Sequence, residues 1–384
     1  MDFNFSEEQQ LLVDTVQRFV RENYSFETRR EILRSKPGWS RETWQALAGL
    51  GLTALNVPEE YGGLGNGPVE TMLVMNALGE ALVLEPLLPA AVTTPALLTR
   101  LDDKAAAEQL LPDIASGERI VILAHQEPAT RGEIEHVAAR ATKNSNGYVL
   151  NGVKNVIIGA GAADELLVTA RTSGTTNDTD GVSVFRIDPK ASGVTLKDYG
   201  TIDGLRAADI ELHDVSVPAS SLIGTEGQAF AAIEAAHDQA LSALCAEAVG
   251  IMKAVNATTL EYTKNRKQFG QPIARFQVLQ HRMADMFIHS EQARSMSYLA
   301  AIKCVDCDAI ERRRALSAAK VIVGQAARFI GQQAIQLHGG MGMTDELMVS
   351  HYFKRLTAIE LTMGDCDFHT QRFIAVSRAA TAPA

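Results

Sequence analysis

Residues 266–277 read Arg266-Lys-Gln-Phe-Gly270-Gln-Pro-Ile-Ala-Arg-Phe-Gln277, a polar stretch broken by glycine and proline between long apolar-periodic segments. Seventy residues on, Gln336-Leu-His-Gly-Gly340-Met-Gly-Met-Thr-Asp345 makes a second such break. Around the breaks, residues 228–264, 272–304, 309–337 and 345–377 keep apolar side chains at helical spacing. Long amphipathic segments joined by short links pack most simply as a bundle, so a four-helix bundle is predicted over 226–384.

Upstream, the texture is different. From Arg119 onward come short runs rich in β-branched residues, IVILA, VAARAT, YVLNGVKNVII, ELLVTART, GVSVFRI, GVTLKD and DIELHDVSV. Asn-Gly, Asp-Gly and Ser-Gly separators supply the positive φ values of tight turns, and Asn146-Gly147 and Asn151-Gly152 are read as bracketing one strand. Seven strands in about 100 residues predict an antiparallel β-domain, sandwich or barrel, over 118–225. Residues 1–117 read as helices. Ser6 with Gln9 forms a capping box ahead of a Leu12, Val16, Phe19, Val20 stripe. Ser40 opens a second helix whose inner face carries Trp44, Leu47 and Ala48. The predicted fold class is therefore mainly α with a β-domain, in the order helical domain, β-domain, helical bundle.

Composition narrows the function. The 384 residues hold 36 Lys+Arg against 46 Asp+Glu, a net charge of -10. That opposes a phosphate-tracking surface for nucleic acid, while leaving room for a local basic pocket. No apolar run is read as approaching the ~20 residues needed to span a bilayer. The acidic MDFNFSEEQQ start does not resemble a signal peptide. With four cysteines only, a reducing, cytoplasmic setting is expected.

The two breaks point to a phosphorylated ligand. The Arg266 guanidinium is a rigid fork suited to a phosphate. Gly339 and Gly340 let backbone approach a pyrophosphate with no Cβ in the way. Gln277 or Gln336 could complete that shell. Taken singly, these residues are equally readable as a helix-end cation and plain caps.

Together with PEEYGGLG (58–65) and DVSVPASSLIG (214–224), the pair of breaks resembles the acyl-CoA dehydrogenase family along essentially the whole chain. The phrasing of residues 68–89 and 351–361 is similar to the small subunit of pimeloyl-CoA dehydrogenase-type enzymes. The resemblance implies an FAD-dependent α,β-desaturation of an acyl-CoA thioester. A carboxylate takes the α-proton, the β-hydrogen leaves as hydride to the flavin, and electrons pass to an electron-transfer flavoprotein. It also implies that Arg266, Gln268, Phe269, Gln277, Gln336, Gly339 and Gly340 reach across a subunit interface to the ADP half of a neighbour's FAD.

The sequence departs from that family where the chemistry should be. Counted from Gly340, the position of the usual base falls on Met363, and a thioether takes no proton. The family's second base position falls on Ala240, and Leu241 replaces an arginine. Asp238, Glu360 and Asp365 remain as nearby acids, with Asp365 and Asp238 the candidate bases and capping the expected role of Asp365. The flavin-cradling stretch of the β-domain is reduced to Gln126-Glu127-Pro128-Ala129-Thr130-Arg131-Gly132, and a second one to Val156-Ile157-Ile158-Gly159. A clamp for a neighbour's cofactor with an eroded bed for its own implies a heteromer. In it, a homologous large subunit, in an α2β2 assembly, supplies the catalytic glutamate.

Two alternatives stay open, a non-catalytic subunit that only clamps a partner's FAD and a homotetramer with a relocated base. An oxidase is disfavoured by length. The acyl group is left as dicarboxylyl, aromatic, terpenoid or steroid. No metal site is expected: Cys304 and Cys307 lack a second pair, and His281 with Asp285 reads as a surface pair. The Arg312-Arg-Arg314 run is expected outside, at a helix start.

Overall fold

The computed structural model describes residues 5–130 and 132–381. Six helices come first: α1 (Glu7–Asn23), α2 (Phe26–Arg34), α3 (Arg41–Gly49), α4 (Pro68–Ala81), α5 (Thr94–Leu98) and α6 (Lys104–Ala115). The Ser6–Gln9 capping box forms as read, with Oγ accepting from Gln9 N at 3.2 Å and the Gln9 side chain accepting from Ser6 N at 3.0 Å. Ser40 caps α3, and Trp44 and Leu47 are fully buried beneath it. Helix α2 has no counterpart in the sequence reading. Its segment is short and charged, and it is held by Arg29, which is buried and donates to Leu82 O and Asp203 O.

The middle of the chain is one sheet of β1 (Val121–Ala124), β2 (Arg140–Asn144), β3 (Gly147–Ile158), β4 (Glu165–Arg171), β5 (Val182–Ile187), β6 (Val194–Gly200), β7 (Arg206–Val217) and β8 (Leu222–Ile223). Strand order is β6-β7-β3-β2-β4-β5-β8, with β1 alongside β4. The sheet is mixed rather than purely antiparallel, because β1 enters from α6 and pairs parallel to β4. Asn151-Gly152 does not end a strand. It is a bulge within β3, where Gly152 at φ 153° packs so closely on Ala139 that a Cβ would lie 2.5 Å from the Ala139 Cβ.

After the sheet run α7 (Phe230–Asn265), the two-residue strands β9 (Lys267–Gln268) and β10 (Gln271–Pro272), then α8 (Gln277–Lys303) and α9 (Ala309–His338). The fourth predicted segment is two helices, α10 (Met348–Leu361) and α11 (Cys366–Thr381). The break falls at Met363 and Gly364, with φ of 60° and 94°. Helix α7 contradicts the expectation of no membrane-length apolar segment, since it is long and apolar enough by composition. That window is 78% buried inside the protein, as a core helix would be. It crosses α4 closely, and a Cβ on Gly79 would come within 2.4 Å of Glu247 O.

Candidate active site

A cavity of about 590 Å³ opens where α4, α7, the sheet and the α10–α11 turn meet. About half of its lining residues are leucine, isoleucine, valine, proline or methionine (Met75 and Met363). Ile233, His237, Ala240, Leu244 and Glu247 line it from one face of α7, at three- and four-residue spacing. Leu361 to Asp365 line it from the turn, and Val83 to Pro89 from the segment after α4.

The turn is held by its own chain. Lys320, fully buried, donates to Glu360 O at 2.8 Å and to Gly364 O at 2.7 Å. His369 Nε2 sits 2.9 Å from Met363 O. Burial, together with the charges of Lys320 and Arg372, pushes the His369 pKa down to about 4, so the ring is neutral and Nε2 donates. Met363 is thereby fixed in the left-handed region, where it lines the cavity. No acid replaces it there. Asp365 reaches the cavity wall, but its Oδ1 accepts Phe368 N at 2.8 Å, and Glu360 Oε1 accepts Cys366 N at 3.3 Å. Both acids cap α11.

Asp238 is not brought to the cavity. It faces away from Ala240 and receives Arg312 Nε at 2.6 Å, with no exposed surface of its own. Burial pushes its carboxyl above the usual range even so. This also corrects the reading of the arginine run. Arg312 starts α9 as expected but points inward to Asp238 and Glu234, and Arg313 bonds Glu234 as well.

Sequence reasoning missed at least four polar groups in the cavity wall. Glu247 and Arg355 form a two-pronged pair of 2.6 and 2.7 Å, and Arg355 also donates to Asp203 at 2.8 Å. Burial opposes the Arg355 charge, but the two carboxylates outweigh it and hold the guanidinium pKa above its usual value. His237 lies three residues before Ala240, and its buried Nδ1 has no hydrogen-bond partner. Burial and nearby cations keep its pKa well below the usual value. Glu85 is the fourth; burial raises its carboxyl to about 6. Helical spacing from Ala240 could have revealed His237 and Glu247.

The residues lining the cavity do not suit a whole flavin dinucleotide. Its cations Arg206 and Arg355 are committed to Asp198, Glu247 and Asp203. Thr130 Oγ1 already accepts Glu127 N at 2.9 Å, and Glu127 itself is bound by the buried Lys154 at 2.7 Å. At Gly132 the β-domain loop abuts the turn, where a Cβ would lie 3.1 Å from Gly364 Cα. Arg131, in the same loop, lies outside the described residues. No acceptor or donor side chain exists at Ile158.

The clamp residues stand elsewhere. Arg266, Gln268, Phe269, Gln277, Gln336, Gly339 and Gly340 are all exposed. The ends of α7 and α9 are tied together, with Tyr262 stacked on His338 at 4.3 Å and its hydroxyl donating to His338 O at 3.2 Å. Arg266 and Gly339 follow directly on those two ends. Phe269 heads the β9–β10 turn at φ 50° and is 91% exposed. Among the described residues, no three His, Cys, Asp or Glu side chains are grouped to hold a metal ion.

Family models for the N-terminal, middle and C-terminal domains of acyl-CoA dehydrogenase match residues 6–118, 123–215 and 230–375. The chain belongs to the acyl-CoA dehydrogenase family. The 3-(aryl)acrylate reductase of Clostridium sporogenes is 30% identical over 331 residues, covering 84% of this chain and 86% of that protein. The Tcur3481-Tcur3483 steroid ACAD superposes with a TM-score of 0.86 at 26% identity, over 98% of this chain and 99% of that one. An FAD complex of PigA superposes with a TM-score of 0.89 at 26% identity, over 99% and 100%. Members of this family are flavin-dependent oxidoreductases acting on acyl-CoA, and they use FAD. Closeness to pimeloyl-type small subunits does not emerge among these relatives.

Proposed function

We propose that this chain is one subunit of an FAD-dependent acyl-CoA dehydrogenase, paired with a homologous large subunit that carries the cofactor and the catalytic carboxylate. One observation carries the reading. Every clamp residue is on the surface, with Arg266 and Gly339 at the joined ends of α7 and α9, while the chain's own cavity has Met363 and Ala240 where a base would be needed. Arg266 would pair with a phosphate of the partner's dinucleotide. Gly339 and Gly340 would offer unshielded backbone, and Gln268, Gln277 and Gln336 would supply amide donors. Bound FAD supplies the hydride acceptor for desaturation.

The α2β2 assembly is carried over from the family resemblance and is compatible with closed symmetry, and the name of the Tcur3481-Tcur3483 relative is itself that of a pair. The reduced cofactor then needs an acceptor, for which an electron-transfer flavoprotein is proposed. Four free thiols suit a cytoplasmic setting. The test is flavin absorbance per chain, with the protein purified alone and with a co-expressed homologue. A chain colourless alone and yellow in the complex, at about one flavin per two chains, is expected. A yellow homotetramer that oxidises acyl-CoA would overturn it.

A second reading, the homotetramer with a relocated base, is favoured by one group. His237 lines the cavity three residues from Ala240, with a neutral ring whose buried Nδ1 has no hydrogen-bond partner. If the homotetramer turns over, His237→Gln should abolish that turnover while flavin content is kept.

A further inference from the structure

We propose that His351 is an acid-sensitive latch: its neutral ring ties the segment bearing Gly339 and Gly340 to α2, and protonating the ring releases that segment. The consequence for assembly rests on the reading that those glycines clamp a partner's FAD; the latch itself does not.

The contacts allow one form of the ring. Nδ1 lies 3.2 Å from Arg29 Nη1, and Nε2 lies 3.2 Å from Asp345 O. A guanidinium only donates and a carbonyl only accepts, so Nδ1 is the bare acceptor and Nε2 holds the proton. The side chain is buried, with the Phe26 ring edge-on to it at 5.2 Å. It thereby joins α2, through Arg29, and α10, to which it belongs, with the stretch between α9 and α10, through Asp345. Gly339 and Gly340 open that stretch.

A second proton on the ring sets one cationic donor against another at Arg29. The guanidinium is held from its other side, with Nε donating to Leu82 O at 2.9 Å and Nη2 to Asp203 O at 3.2 Å. Helix α10 is anchored as well, since Tyr352 donates to Glu80 O at 2.7 Å and Arg355 binds Glu247 and Asp203. What yields is the ring, and with it the bond to Asp345 O. Lys354, on α10, and Asp345 also act on the ring, in opposite senses, and Lys354 itself holds the Asp345 carboxylate at 2.6 Å. Arg30, from α2, acts on Asp345. Burial, reinforced by Arg29 and Lys354, keeps the ring's pKa below its usual value. Release restores an ordinary imidazole of pKa about 6.5, so opening takes up a proton and is promoted as the pH falls below that value.

Hydrogen exchange of the full chain, read by mass spectrometry on the peptide spanning 339–347, tests the latch. His351→Gln supplies an acceptor for Arg29 and a donor for Asp345 O but never charges. At about pH 7.5 the wild type and the variant should exchange alike, because both rings of the comparison are then uncharged. At about pH 5.5 the wild-type peptide should exchange several-fold faster than the variant's, up to about tenfold, the limit one pH unit below an ordinary imidazole. Equal exchange at the lower pH would overturn the latch. Should the variant not fold, the wild type decides alone: proton NMR should show His351 titrating below about 6.5, and titration at that value would overturn the coupling to Arg29. In the co-expressed complex, acid should strip flavin from the wild type more readily than from the variant. Equal flavin retention beside a clear exchange difference would leave the latch standing and remove Gly339 and Gly340 from the clamp.

Discussion

Asp365 accepts the Phe368 backbone N–H at 2.8 Å, which makes it the cap of α11 although it lines the cavity. A cap and a base respond differently to substitution. Asp365→Asn keeps the acceptor and should leave stability almost unchanged, while Asp365→Ala should cost about 1 kcal/mol. Urea unfolding of the two variants measures this. A base would instead lose turnover in both variants alike, which would displace the capping role.

The Asp238–Arg312 bond is buried on one side and only 12% exposed on the other. Removing the carboxylate leaves Arg312 to Glu234 and the Asp306 carbonyl. Asp238→Ala should therefore destabilise the chain by about 3 kcal/mol, the low end for a broken buried pair because Arg312 keeps other partners. The clamp surface is far from this pair in sequence and should keep its solution behaviour. Thermal unfolding checks the loss, and a variant as stable as the wild type would show that the pair contributes nothing.

Much of this molecule is legible without coordinates, and the exceptions have a common cause. Ser6, Ser40 and the long helical periods announce their helices because caps and stripes are local signals. The family resemblance, counted on from Gly340, also puts Met363 where the usual base is expected. Pairings between distant segments stay hidden. The parallel β1–β4 contact depends on where α6 delivers the chain, and the Asp238–Arg312 and Glu247–Arg355 pairs join residues 74 and 108 positions apart. The split at residues 362–365 was hidden too, because the apolar period continues across it. It is Lys320 and His369, from α9 and α11, that hold the turn.

Glu85 gives the stability a pH signature. Its carboxyl titrates at about 6 in the folded chain against the usual 4.5, so the folded state holds the proton more tightly than the unfolded one. Ionising it on raising the pH from 4.5 through 6 therefore lowers stability. The gap corresponds to about 2 kcal/mol. Relative to Glu85→Gln, the wild type should lose that amount between about pH 4 and about pH 8, and hold level below the lower bound. Parallel denaturation midpoints at several pH values test it. A constant difference across the range would mean that Oε2 is stabilised as an anion.

Phe269 offers the most direct separation of folding from assembly. The ring is 91% exposed, and its nearest aromatic neighbour is Phe276, edge-on at 6.1 Å. Phe269→Ala keeps a Cβ at the left-handed position, so backbone strain is the same in both chains. The isolated chain should lose no more than about 0.5 kcal/mol of stability, as exposed substitutions do. Association with a homologous partner should weaken by about 2 kcal/mol or more, because exposed aromatics anchor interfaces. Sedimentation of the co-expressed complex, with flavin absorbance read on the same sample, measures both effects. Full assembly and full flavin content in the variant would remove this turn from the interface and, with it, the physical basis for a clamp at Arg266 and Gln268.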